Sequence, residues 1–144
     1  MFSRSTEYAI RAMAVLAVQP SGNLCGAREI AESANIPRPF LWKILQNLTR
    51  KRLLRSFKGV RGGYELAKPA GRISVLDVIG ATTSPEAMSG CLLGSGNCEG
   101  KHPCALHTVW ANFDKDLTAK FRKTSLADLA RLSAQGRRRN GRRA

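Results

Sequence analysis

At 144 residues, with 24 Lys+Arg against 10 Asp+Glu, the chain has material for one good core and carries a formal charge of +14. That balance argues for a polyanionic partner, nucleic acid before a membrane surface, with plain solubility as the bland alternative. No apolar run approaches the roughly 20 residues of a membrane span, and Ala12 to Val18 behind Glu7 makes a poor signal peptide, so the expectation is a cytoplasmic protein without membrane contact.

Ser5 is placed to cap a first helix running to about Gln19, with Ala9, Met13, Leu16 and Ala17 at helical spacing. Pro20-Ser21-Gly22 stops it, and a short extended piece around Leu24 follows. Ala27 to Ala34 reads as a second helix with Ile30, Ala31 and Ala34 on one side, closed by Asn35 in a left-handed conformation. A third helix starts at Arg38-Pro39 and buries Leu41, Ile44, Leu45 and Leu48. Its other face carries Arg38, Trp42, Lys43, Gln46 and Arg50. Two short helices joined by a tight turn, the second exposing basic and amide side chains, form a helix-turn-helix pattern able to reach base edges. Any solvated helix face can look the same.

Leu53 to Phe57 and Gly63 to Leu66 read as two strands around the tip Lys58-Gly-Val-Arg61-Gly62. A basic, glycine-rich hairpin after a helix-turn-helix reads as a wing, whose glycines permit close approach to the sugar-phosphate chain and whose Arg61 could enter the minor groove. An ordinary hairpin loop is the alternative. Ser74-x-x-Asp77 starts a short helix through Ile79, and Ser125-x-x-Asp128 caps a last one bearing Leu126, Leu129 and Leu132. Between them a longer helix begins near Cys104 or Ala105, with Leu106, Val109 or Trp110, Phe113, Leu117 and Phe121 as its stripe. That stripe is too apolar for an isolated helix and needs its own domain or a second copy. The tail from Gly136 holds Arg137, Arg138, Arg139, Arg142 and Arg143, a composition expected to be disordered and to add unspecific phosphate affinity.

The segment from Thr82 to Pro103 has no periodicity, yet it holds Cys91 and Cys98 with Cys104 directly after it, three of the four cysteines. A structureless stretch of about 20 residues needs something to hold it. Clustered cysteines in the cytoplasm are more often metal ligands than disulfides, and thiolates suit zinc, copper(I) or an iron–sulfur cluster. His107, three residues past Cys104, is one candidate fourth ligand, and Cys₃His is also a good structural zinc set. Cys25 stands apart and reads as a small buried hydrophobe. There is no phosphate-binding glycine loop, no paired catalytic carboxylates and no serine–histidine–acid arrangement, so neither an enzyme nor a small-molecule substrate is expected.

In this order the motifs resemble the IscR/NsrR-type winged-helix transcription regulators of bacteria, the Rrf2 family, over roughly residues 1 to 133. The resemblance rests on Thr6-Glu-Tyr-Ala-Ile-Arg-Ala-Met13, on Ala27-Arg-Glu-Ile-Ala31 followed by Ile36-Pro-Arg-Pro-Phe-Leu-Trp-Lys-Ile-Leu45, on Lys58-Gly-Val-Arg-Gly-Gly-Tyr-Glu-Leu-Ala67 and on Thr124-Ser-Leu-Ala-Asp-Leu129. It implies a mainly α fold with a small β-hairpin wing. Residues 1–80 would be a winged helix-turn-helix DNA-binding domain, 81–104 a cluster-binding loop, 105–135 a dimerisation helix with a closing helix, and 136–144 the basic tail. It implies a homodimer on a palindromic operator. The candidate contacts are Arg38, Pro39, Trp42, Lys43 and Gln46 on the third helix, with Lys58, Arg61 and Gly62 in the wing. It further implies that Cys91, Cys98 and Cys104 hold an iron–sulfur cluster, 2Fe–2S before 4Fe–4S, that switches DNA affinity. His107 or a Glu7 supplied by the partner subunit would be the fourth ligand. Six residues separate Cys91 from Cys98 where IscR has five, a departure that bears on cluster type. Glu7 equally reads as a first-turn carboxylate paired with Arg11.

Overall fold

The computed structural model describes residues 2–84 and 105–132. Within these, the order is α1 (Arg4–Ala17), α2 (Ala27–Ala34), α3 (Arg38–Arg50), β1 (Leu54–Phe57), β2 (Gly63–Leu66), a short 3-10 turn (Ala70–Arg72), α4 (Val75–Thr82), α5 (His107–Lys123) and α6, residues 126–132. Helices dominate and the sheet is one antiparallel hairpin, as the sequence pattern predicts.

The helical stripes build the core. Ala9, Met13 and Leu16 of α1, Ile30, Ala31 and Ala34 of α2, and Leu41, Ile44, Leu45 and Leu48 of α3 are all buried, joined by Leu53, Leu54, Ile73 and Val78. Asn35 takes the left-handed conformation at the end of α2, φ 54° and ψ 56°, which an asparagine tolerates better than most residues and which turns the chain into α3.

Ser3, not Ser5, caps α1: its hydroxyl accepts from the Thr6 N–H at 3.3 Å. Thr6 itself is fully buried and faces α4. There its hydroxyl shares hydrogen bonds with Ser3, Thr82 (3.0 Å) and Thr83 (3.1 Å). Ser5 is left exposed in the first turn. α1 also stops at Ala17, short of the expected Gln19.

In the hairpin Leu54 faces Leu66 and Phe57 faces Gly63. The extended residue Cys25 adds a further rung, exchanging both backbone hydrogen bonds with Tyr64 (2.8 and 3.0 Å). Gly63 is needed for that rung: at φ 155° a Cβ would lie 2.8 Å from the Cys25 carbonyl oxygen.

Both serine caps form. The Ser74 and Asp77 pair is a complete capping box, and its helix runs on to Thr82 rather than ending at Ile79. Ser125 and Asp128 exchange the same two hydrogen bonds, at 2.9 and 3.1 Å. Ser125 also bridges to Ser74, Leu126 donates to the Ile73 carbonyl at 2.9 Å, and Leu126 is fully buried. After α5 the chain thus returns to the core that α1–α4 form.

Candidate nucleic-acid interface and metal centre

α3 divides cleanly. Its apolar stripe faces inward, and Arg38, Pro39, Trp42, Lys43, Gln46 and Arg50 all lie on the exposed side. The division follows from placing apolar residues three and four apart, which leaves the remaining positions to solvent. The helix opens on Pro39, whose missing N–H costs nothing in a first turn.

The wing tip is exposed at Lys58, Gly59, Val60 and Arg61. Gly62 closes it by donating to the Gly59 carbonyl at 3.0 Å, and a Cβ at residue 62 would collide with the Phe57 carbonyl. Lys58 and Arg61 therefore stand on a tight turn rather than on a long floppy one.

Arg4 escaped the sequence reading, and Arg11 entered it only as a partner for Glu7. Arg4 and Arg11 line a groove with Glu7, Tyr8, Asn35, Ile36 and Pro37, beside the turn that joins α2 to α3. Their spacing of two helical turns on α1 was the available signal. Arg11 lies over the Tyr8 ring, 5.5 Å from its centroid, and Tyr8 in turn packs on Phe40 at 6.1 Å. The expected Glu7–Arg11 ion pair is not among those formed by the described residues.

Cys91, Cys98 and Cys104 lie outside the described residues, as does the arginine tail. Among the described residues no three His, Cys, Asp or Glu side chains gather into a metal site. His107 is half-buried as the first residue of α5, with Leu106 before it as N-cap. The helix thus starts later than the expected Cys104 or Ala105, and the expected pairing of His107 with Cys104 lies outside the described residues. Ser84 and Trp110, which flank the cysteine segment, line one groove together with Ile79 and Phe121. Glu7 lines the other groove, beside the helix-turn-helix. Cys25 stands apart from these: it is fully buried, and its thiol is pushed up to about 11 by burial, then by the hydrogen bond and charge of Glu29. The remaining donors, three thiolates with an imidazole or a carboxylate, have the chemistry an iron–sulfur centre or a zinc ion requires.

No described helix is long and apolar enough to cross a membrane. The family model for Rrf2, described as an iron-dependent transcriptional regulator, matches residues 2–132. A candidate HTH-type transcriptional regulator of Mycobacterium tuberculosis is 40% identical over 129 residues, covering 89% of this chain and 80% of the relative. The HTH-type transcriptional regulator IscR of Cronobacter sakazakii is 30% identical over 122 residues, covering 85% and 75%. Among solved structures, CymR, the global cysteine regulator of B. subtilis, superposes with a TM-score of 0.78 at 22% identity over 92% of this chain and 97% of its own.

Proposed function

This chain belongs to the Rrf2 family of transcriptional regulators, and we propose that it acts as a homodimer whose affinity for a palindromic operator is switched by an iron–sulfur cluster. It is a DNA-binding regulator and not an enzyme. The observation that carries the DNA side is the division of α3, with its stripe in the core and Arg38, Pro39, Trp42, Lys43 and Gln46 outside. These would read bases or position phosphates, while Lys58, Arg61 and Gly62 in the wing hold the backbone.

Cys91, Cys98 and Cys104 would hold the cluster, with His107, or Glu7 of a second copy, as fourth ligand. Glu7 lines the groove beside the helix-turn-helix, where a segment of a second copy could reach it. A bound cluster supplies reactivity toward oxidants, nitric oxide or loss of iron. The chain's own part is mechanical. Residues 85–104 join α4, which Thr82 and Thr83 tie to α1, to α5. Three thiolates drawn to one point shorten that join and set α5 against the reading head, while released thiolates leave a long connection. Two heads must stay in register on DNA, so a coupling of about 1–3 kcal/mol would change affinity roughly 5–150-fold. A DNA-binding regulator of this kind would work in the cytoplasm.

The test is anaerobic purification followed by visible absorption and operator binding. A brown protein with sulfide-to-iron bands is expected, whose operator affinity changes when the bands are bleached and which loses them in Cys91→Ser. A colourless protein holding one equivalent of zinc, and refusing a cluster on reconstitution, would overturn the proposal.

A further inference from the structure

Trp42 stands on the exposed side of α3, one turn from both Arg38 and Gln46 and next to Lys43. It is 58% exposed, and among the described residues it has no ring, hydrogen-bond or ion-pair partner. Phe40 on the same helix is also exposed, but its ring is engaged by Tyr8. Trp42 is therefore the large apolar side chain that α3 leaves uncovered within its own protomer. The cations around it, Arg38, Lys43 and Arg50, match a phosphate backbone, so what covers the ring is a groove of duplex DNA.

A major groove is lined almost wholly by hydrogen-bonding edges. Its one apolar group is the 5-methyl of thymine. An indole has no acceptor and a single N–H donor, on a broad apolar body. That body fits the methyl better than any other base edge, and Gln46 and Lys43 beside it supply the hydrogen-bonding readout the ring lacks. We propose that Trp42 is a specificity-determining residue that packs on the 5-methyl group of a thymine in the operator. The proposal rests on α3 being the reading helix.

The probe is the full-length protein, as isolated, on a duplex selected from a randomised library. Each thymine is replaced in turn by deoxyuridine, which removes only the methyl. Wild type should lose about fourfold in affinity per methyl at one position, the factor that burying about one methyl group is worth. Trp42→Ala should bind the thymine duplex more weakly and be indifferent to the replacement there, and Trp42→Phe should keep part of the penalty. Because the side chain is exposed, unfolding midpoints of both variants should match wild type. An undiminished penalty in Trp42→Ala, or no sensitive thymine in wild type, overturns the proposal. If Lys43→Ala or Gln46→Ala then still alters the selected bases, α3 remains the reading helix. If none of the three variants alters base preference, that assignment falls as well.

Discussion

Cys25 shows how one side chain can be right in the sequence and still gain meaning from the fold. A lone cysteine near the start of a helix reads as a small hydrophobe, and it is fully buried. Its backbone, however, forms the extra rung on Tyr64, and Glu29 stands by its thiol. The folded protein holds the thiol proton more tightly than the unfolded chain does, with a pKa of about 11 against 9.0. The associated stability is present in full below about 9 and is lost as pH rises toward 11. Urea unfolding followed across that window should show a fall that Cys25→Ala lacks, and equal slopes in both proteins would contradict it. Thr6 is the opposite case. A threonine in a first helical turn gives no sign of being a core residue. Its partners Thr82 and Thr83 lie 76 and 77 residues away, beyond any local pattern.

At the scale of elements, caps and stripes decide most of the outcome. Ser74 with Asp77 and Ser125 with Asp128 were legible because the motif is local: a hydroxyl and a carboxylate three residues apart satisfy each other's backbone N–H. The Ser125 N–H, then its hydroxyl, hold the Asp128 carboxyl below the usual carboxylate range, with Arg131 assisting and desolvation opposing. That contribution is present above the usual range and is lost as pH falls through the lowered value. Ser125→Ala should lower stability in urea unfolding by about 1 kcal/mol at neutral pH, and an unchanged midpoint would show that the bridge to Ser74 alone holds α6. The start of α1 was misjudged for the complementary reason. Ser3 and Ser5 are equally good caps by residue type, and residue type alone does not say that the helix starts at Arg4 with Ser3 as its cap.

For the whole molecule, the outstanding feature is that α5 buries none of its residues within a single protomer. Val109 is 68% exposed and Phe113 45%, on a helix whose inner side reaches α4 and whose Phe121 meets Phe2 at 5.7 Å. Exposed apolar area on this scale asks for a second surface, which the proposed homodimer provides. Phe113→Asp should give monomers in sedimentation equilibrium and weaken binding to a two-half-site operator, while the far-ultraviolet helical signal stays intact. A variant that remains dimeric would move the interface away from α5.

Periodicity, caps and charge by themselves determined the helix-turn-helix, the hairpin and the basic face of α3, because each depends on residues within a few positions of one another. Tertiary structure alone decided the rest. It buried Thr6 against Thr82 and Thr83, made Cys25 a rung of the wing, and returned residues 124–126 to pair with residues 73–75. It also set Glu7 in the groove beside the helix-turn-helix while Ser84 and Trp110 line another. These depend on which distant segments meet, and a linear pattern records the face a residue presents but not the surface that face encounters.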